Sequence, residues 1–286
     1  MANKILYATA VDEHGQIVHI DDAQKGKPYY CLGCNEKLVL RKSGKSGLGS
    51  RRPHFAHNGP THNCSPETVL HMSFKKMLVE FIKKNIVEQK KIPISWKCGD
   101  CGLEYAGNLL EKAIVVKEEY SLGLCRPDIA LFDKDGKAIV VIEIVVTHLP
   151  EEKTLQYYRD NKLILIQINL LSEDELRNIS RRINNPDKVE YCLSRKCEVG
   201  LRYEAGRSIN RSVVLCGLCL RAPVEVYSVI LEGLFGPIET RDFTDGEIAS
   251  IQSDHNNIMI STDQKTNGKY PRFICPVCGL KPLRRF

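Results

Sequence analysis

Two acidic residues lie in or next to strand-like segments of the chain. Asp128 follows Arg126 and Pro127 at the edge of a short apolar segment, and Glu143 interrupts the β-branched run 138–146. An acid inside such a run must face solvent on an edge strand or be buried with a partner. Two acids at neighbouring strand ends would concentrate negative charge, and the usual partner is a hard divalent cation such as Mg²⁺. The pair has two interpretations: a metal site that activates water and neutralises a phosphodiester transition state, or a Glu143 that faces water.

The bulk composition limits the kind of protein. The chain has 286 residues, 43% of them hydrophobic, and a formal net charge of +6. This length suits one large domain or two to three small ones. No apolar run approaches the roughly 18 residues that a membrane span needs, and residues 1–4 open no signal peptide. We therefore expect a cytoplasmic protein that does not enter the membrane.

The twelve cysteines indicate structural zinc. Disulfides are rare in intracellular proteins, and four of the five close pairs have the C-x-x-C spacing of a zinc knuckle. We expect two to three zinc sites. The paired residues are Cys31/Cys34, Cys98/Cys101, Cys192/Cys197, Cys216/Cys219 and Cys275/Cys278.

The knuckle at 31–34 needs two further ligands to close a tetrahedral site. His54, His57, His62 and Cys64 are the candidates. Successive strand residues alternate between faces, so His54 and His57 cannot both point to one side of a regular strand. We prefer His57 with Cys64 and keep His54 in reserve. The alternative for either histidine is a hydrogen-bonded core residue.

The other four cysteine pairs can be combined in more than one way. The pairs at 192/197 and 216/219 are expected to form one zinc ribbon. The pairs at 98/101 and 275/278 then have no other ligands, and the simplest solution joins them in one Cys₄ site. Such a site would fasten the C-terminal segment to the central domain.

The hydrophobic pattern predicts an α/β protein whose central part is a mixed four-stranded sheet flanked by helices. The order is helix, three strands, helix, strand, helix. Asp133 to Gly136 is a turn between the second and third strands, and a capping box at 172–175 begins the last helix. The predicted helices cover 66–88, 150–161 and 172–183, and the strands cover 113–122, 129–132, 138–146 and 163–169.

The pattern also divides the chain into three domains. Residues 1–64 are predicted to form a β-rich zinc-binding domain. Residues 65–184 carry the central sheet, with the knuckle 96–102 inserted. Residues 185–286 are predicted to form a C-terminal zinc-ribbon domain.

A run of basic residues near the first knuckle suggests contact with a nucleic-acid backbone. Basic loops beside zinc knuckles suit phosphates, although a solvated loop would look the same. The run contains no acid and consists of Arg41, Lys42, Lys45, Arg51 and Arg52.

Several motifs in order resemble the competence protein CoiA-like family over about residues 28–170. The resemblance includes the first knuckle, the basic hairpin and His54-Phe-Ala-His57. Its remaining motifs are Glu67-x₃-His71-x₃-Lys75, the acids Glu118 and Glu119, Arg126-Pro-Asp128-Ile and Ile142-Glu143-Ile-Val145. The family is similar to the PD-(D/E)xK nucleases, which implies a restriction-endonuclease-like sheet.

The resemblance implies roles for individual residues. Asp128 and Glu143 would bind Mg²⁺ or Mn²⁺, and His71 would be a further metal ligand or a phosphate contact. Glu67 and one of Glu118 and Glu119 would line the same site.

The chain departs from that motif at Val145, where the family pattern has lysine. A lysine there orients the attacking water and stabilises charge at the phosphate. Lys153 and Lys75 are the candidates to replace it, and His148 and Gln156 are candidates to position water. The alternative for Lys153 is a solvated helix residue.

We therefore expect a Mg²⁺-dependent DNA endonuclease, in DNA processing or in defence against foreign DNA, with little direct reading of sequence. One alternative is a zinc-dependent nucleic-acid-binding protein on a degenerate nuclease core. Another is a structural zinc protein that binds other proteins. The zinc modules could also contact a protein partner or a second copy of the chain.

Overall fold

The fold is mixed α/β with several sheets. The computed structural model describes residues 6–42, 52–59, 64–203, 205–255, 258–264 and 268–279. The chain forms two compact units: unit 1 comprises Met1–Trp96 and Lys112–Glu190, and unit 2 comprises Lys97–Glu111 and Tyr191–Phe286. This division differs from the predicted one, because residues 1–64 share a unit with the central sheet. The second knuckle groups with the C-terminal residues instead.

Unit 1 begins with an antiparallel sheet in the order β2-β1-β3-β4-β5. The predicted pairing of the two strands around the basic loop is confirmed, with Leu38 opposite His57 and Arg41 opposite His54. Phe55 is fully buried in the core of this sheet. The strands are β1 (Thr9–Val11), β2 (Ile17–His19), β3 (Tyr29–Tyr30), β4 (Lys37–Arg41) and β5 (His54–His57).

A long helix, α1 (Pro66–Val87), follows this sheet. Ser65 caps it by accepting a hydrogen bond from the Thr68 backbone N–H at 3.1 Å, and Pro66 occupies the first turn, where its missing N–H costs nothing. Most of its apolar stripe is buried, as the helical spacing predicts. Lys75 is buried as well, which the polar stripe of the sequence did not indicate.

The central sheet of unit 1 is mixed, with the order β12-β11-β10-β9-β8. The β10–β11 pair is parallel and the other pairs are antiparallel. The four predicted strands are present, and β12 adds a fifth. Short strands β6 (Pro93–Lys97) and β7 (Glu104–Asn108) precede β8 (Val115–Glu118), β9 (Ile129–Phe132), β10 (Ala138–Val145), β11 (Ile164–Asn169) and β12 (Lys188–Glu190).

Helical segments connect the later strands of this sheet. The connection between the parallel strands β10 and β11 contains α2 (Glu152–Asp160). The predicted last helix starts as a 3₁₀ helix (Glu173–Asn178) and continues as α3 (Ile179–Asn184). Glu175 accepts a hydrogen bond from the Ser172 backbone N–H at 3.4 Å, as the capping box predicts.

Unit 2 contains a second antiparallel sheet in the order β13-β14-β17-β16, and β15 also pairs with β14. Thr244 caps its helix by accepting from the Glu247 backbone N–H at 3.1 Å. Within the described part of the chain, no helix has the length and apolar character that crossing a membrane requires. The elements are β13 (Gly206–Leu215), β14 (Pro223–Gly233), β15 (Gly236–Thr240), α4 (Asp245–Asp254), β16 (Ile258–Thr262) and β17 (Lys269–Phe273), with a short 3₁₀ turn at Gly200–Arg202.

Candidate active site and zinc centres

A row of polar residues crosses the central sheet of unit 1. The antiparallel register pairs Ile142 with Ile129, so the next pair is Glu143 opposite Asp128. Glu119 follows β8 and donates its backbone N–H to the Asp128 carbonyl at 2.9 Å. Residues directly opposite one another project from the same face of a sheet. The two acids that the sequence singled out are therefore cross-strand neighbours.

Asp128 is held by contacts from two elements. His71 of α1 places Nε2 3.0 Å from Asp128 Oδ2, and the Ile144 backbone N–H donates to the same oxygen at 2.9 Å. Lys75 Nζ lies 3.7 Å from Asp128 Oδ1. Burial alone would raise the pKa of the Asp128 carboxyl. The His71 hydrogen bond and charge, the Ile144 N–H and the Lys75 charge outweigh burial and lower this pKa.

Lys75 is the lysine that reaches the acids. Its side chain is buried and forms an ion pair with Glu119 as well as with Asp128. The hydrogen bond from Lys75 lowers the pKa of the Glu119 carboxyl, and Arg126 pairs with the same carboxylate at 3.0 Å. One ammonium group therefore balances two carboxylates of the row.

Of the two candidate lysines, Lys153 fits its alternative, a solvated helix residue, and is not the one that contacts the acids. Its side chain is 81% exposed and pairs with Glu151 at 2.6 Å. Lys153 stands in the first turn of α2, next to an exposed acid, and water solvates both ends of that pair. Gln156 lies on the same helix and donates to Asp160 at 2.7 Å, and His148 is exposed.

Glu143 has a hydrogen-bond donor but no cationic partner within the described residues. Tyr158 of α2 donates its hydroxyl to Glu143 Oε1. Burial, aided by repulsion from Asp128, raises the pKa of the Glu143 carboxyl to about 7, and the Tyr158 hydrogen bond only partly opposes this. Tyr158 was not among the residues that the sequence pattern indicated. The available signal was a tyrosine on a helix beside the Glu143 strand, since a buried tyrosine hydroxyl needs a partner.

The other two predicted acids differ in position. Glu67 is half-buried one helical turn before His71, on the same side of α1. Glu118 is exposed on β8 and lies opposite Ile129, one residue before the position of the polar row. Since successive strand residues alternate between faces, Glu119 is the one of the two acids that lies beside the site, and Glu118 is not.

The donor set around Glu143 suits a hard divalent cation. Two half-buried carboxylates face each other. The pKa is raised for Glu143, the carboxylate that has no cation beside it, so the site lacks positive charge on the Glu143 side. Asp128, Glu143 and His71 do not bring three ligand atoms within 4.8 Å of one another, whereas three cysteine-rich clusters of the described residues each bring four that close. The residues fit Mg²⁺ or Mn²⁺ by chemistry and charge.

The first cysteine-rich cluster contains Cys31, Cys34, His57 and Cys64. The Cys31 and Cys64 sulfurs are 3.3 Å apart, and Cys34 Sγ lies 3.2 Å from His57 Nε2. This is the preferred ligand set. His54 points elsewhere and places Nδ1 2.8 Å from the Arg52 carbonyl oxygen, while the candidate His62 lies outside the described residues.

The other two clusters overturn the predicted pairing of the cysteines. The pair at 98/101 joins the pair at 192/197, and the pair at 216/219 joins the pair at 275/278. Sulfur–sulfur distances across these clusters are 3.6 to 3.8 Å. Four sulfurs placed tetrahedrally about 2.3 Å from zinc are about 3.8 Å apart. Both clusters have the dimensions of a Cys₄ zinc site, and both lie within unit 2.

The four C-x-x-C knuckles share one backbone turn. The residue four positions after the first cysteine donates its N–H to that cysteine's carbonyl, at 2.8 to 3.0 Å, and adopts a left-handed conformation. Asparagine and glycine tolerate this conformation well. The residues at this position are Asn35, Gly102, Leu220 and Gly279. This local turn brings the two cysteines of each knuckle close together within one short segment.

The predicted basic surface is only partly described. Arg41 and Lys42 are exposed at the end of β4. Arg52 instead pairs with the buried Glu173 at 2.8 Å, which makes it a tether between the hairpin and the 3₁₀ helix. Lys45 and Arg51 lie outside the described residues.

Residues 13–67 match the family described as competence protein CoiA, N-terminal domain. This match supports a CoiA-like family and covers the first zinc centre and the start of α1. Comparisons with curated proteins and with solved structures gave no match.

Proposed function

We propose that this protein is a metal-dependent DNA endonuclease built on a PD-(D/E)xK, restriction-endonuclease-like core. One observation carries the proposal: Lys75 is buried against the row in which Asp128 and Glu143 are cross-strand neighbours. A lysine beside two facing acids is what the motif requires, and here it comes from α1 instead of the strand.

Each residue of the site has a defined task in this proposal. Asp128 and Glu143 would hold Mg²⁺ or Mn²⁺, which when bound lowers the pKa of water and neutralises charge at the scissile phosphate. Lys75 would orient the attacking water and stabilise the phosphate charge. His71 would keep Asp128 in place through its 3.0 Å hydrogen bond, and Glu119 would hold Lys75 in the site.

DNA would be bound mainly through its backbone. Arg41 and Lys42 supply exposed positive charge beside the first zinc centre, and charge of this kind binds phosphates without reading bases. We propose a cytoplasmic role in DNA processing or in defence against foreign DNA. The match to the competence protein CoiA N-terminal domain supports the first of these.

A non-catalytic nucleic-acid-binding protein is the second candidate. The contacts of Lys75 favour it, because its ammonium group already neutralises Glu119 and Asp128. An ion pair of this kind can stabilise a degenerate core, and Val145 still replaces the motif lysine. In that case the zinc centres and basic residues would bind DNA and the acids would cut nothing.

Plasmid nicking with and without Mg²⁺ or Mn²⁺ separates the two candidates. Asp128→Asn should abolish nicking that requires the metal, whereas Asp135→Asn, in the exposed β9–β10 turn, should leave it unchanged. DNA binding measured on the same preparations should survive both substitutions. Metal-independent nicking that both variants retain would indicate a contaminating nuclease, and binding without nicking by the wild type would support the second candidate.

A further inference from the structure

Tyr158 is the group next to Glu143 that the proposed reaction leaves without a task. It lies on α2 and is only 1% exposed, in a cluster with Val141, Leu163 and Leu165. Its hydroxyl donates to Glu143 Oε1. The Cys125 thiol lies within hydrogen-bonding reach of the same hydroxyl. The ring is therefore fixed by packing while its polar end is directed at one carboxylate oxygen.

A fixed donor at this place has a physical consequence for Glu143. The terminal torsion of a glutamate is broad, so a free carboxylate would sample many orientations. Repulsion from Asp128 would turn it away from the shared space between the two acids. The Tyr158 hydrogen bond to Oε1 opposes that rotation, and the Asp128 backbone N–H also faces the Glu143 carboxylate.

We propose that Tyr158 is a positioning residue that holds the Glu143 carboxylate beside Asp128 for metal binding, an inference whose metal part rests on the proposed nuclease function. Outer groups that orient metal ligands typically change metal affinity by about 10- to 100-fold when they are removed. Tyr158 does not touch the substrate or the metal in this assignment. It acts through Glu143.

The chain offers a matched control in the preceding residue. Tyr157 is also on α2, and its hydroxyl donates to the Leu122 carbonyl instead of to an acid. Tyr157→Phe and Tyr158→Phe each remove one hydroxyl from the same helix. A loss of general stability in α2 would affect both variants, whereas a loss of Glu143 orientation would affect only the second.

The first measurement is Mn²⁺ affinity by titration calorimetry on the full-length, zinc-loaded protein. Tyr158→Phe should bind Mn²⁺ about tenfold more weakly than the wild type, and Tyr157→Phe should stay within about twofold. On a Glu143→Gln background, Tyr158→Phe should cause no further loss. Equal Mn²⁺ affinity in the wild type and Tyr158→Phe would overturn the inference.

The second measurement needs no metal. A double-mutant cycle of Tyr158→Phe and Glu143→Ala in urea unfolding at pH 8, in which each single variant removes the hydroxyl–carboxylate contact, should give a coupling of about tenfold or more in the unfolding constant, since hydrogen bonds to charged groups are worth about 1.5–3 kcal/mol. A wild type that binds no Mn²⁺ would end the nuclease proposal, and the cycle would still decide the contact. Coupling would support Tyr158 as the group that positions Glu143, and its absence would refute it.

Discussion

The facing carboxylates predict an unusual pH dependence of stability that depends on Glu143. Glu143→Gln removes the charge, keeps an acceptor for the Tyr158 hydroxyl and preserves the shape of the side chain. The unfolded chain releases the Glu143 proton near pH 4.5, while the folded protein holds it up to about pH 7. The stability from this group is therefore complete below pH 4.5 and is lost as the pH rises through 7.

The size of the effect follows from the two pKa values. The interval from 4.5 to about 7 corresponds, at about 1.4 kcal/mol per pH unit, to a total of about 3.4 kcal/mol. About 2.5 kcal/mol of this falls between pH 5 and 8. The effect of Asp128 on stability has the opposite dependence on pH, because the pKa of its carboxyl is lowered from 3.8. Its contribution is lost only in more acidic solution, so it does not overlap this window.

Urea unfolding of the zinc-loaded protein, without added magnesium, measures the difference. Between pH 5 and pH 8, the wild type should lose about 2.5 kcal/mol more unfolding free energy than Glu143→Gln does. Adding Mg²⁺ at pH 8 should recover most of that loss in the wild type and little in the variant. Glu80→Gln, on the exposed side of α1, should follow the wild type throughout.

One result would refute this reasoning directly. If the wild type and Glu143→Gln show parallel pH profiles from 5 to 8, the Glu143 carboxyl is hydrated as an ordinary surface group. The two acids would then not share one half-buried space, and the basis for a metal at this place would disappear.

Three further outcomes follow from the site and the zinc centres. Lys75→Met should lower the rate of Mg²⁺-dependent nicking by about 100-fold or more. Lys83 is exposed on the same helix, so Lys83→Met should leave this rate unchanged. Equal nicking rates in the two variants would show that Lys75 takes no part in the chemistry. Elemental analysis should find three zinc ions per chain in the wild type and in Cys125→Ser, and two in Cys98→Ser. Three zinc ions per chain in Cys98→Ser would contradict the assignment of the second centre. Arg41→Ala should weaken DNA binding and reduce the slope of log K against log salt by about 0.9, and an unchanged slope would mean that no phosphate contacts this residue.

Local features of the fold could be predicted from the sequence because their causes are local. Each C-x-x-C knuckle is closed by a hydrogen bond between residues four apart. The Asp133 side chain accepts from the Asp135 and Lys137 backbone N–H groups and so forms the β9–β10 turn from within. The helix caps at Ser65 and Thr244 likewise depend on residues three positions away.

Features that depend on distant parts of the chain could not be predicted in the same way. The spacing of the cysteine pairs does not say which pairs meet, since all the C-x-x-C knuckles are chemically alike. Lys153 was as good a candidate as Lys75 by sequence, and only the packing of α1 against the acids separates them. Tyr158 was hidden for a related reason: its partner is fifteen residues away on another element.

The pairing of the two acids depends on a single irregularity in β10. Ala138 pairs with Phe132, but Val140 pairs with Leu131, so the register shifts by one residue at position 139. A regular hairpin continued from the first of these pairs would place Glu143 opposite Pro127. Glu143 and Asp128 would then project from opposite faces of the sheet, because a slip of one residue reverses every side chain. The bulge therefore places the Glu143 side chain on the same face of the sheet as Asp128. Bulges near active sites typically reorient side chains in this way. The hydrophobic run 138–146 gives no sign of it, since its β-branched residues suit either register.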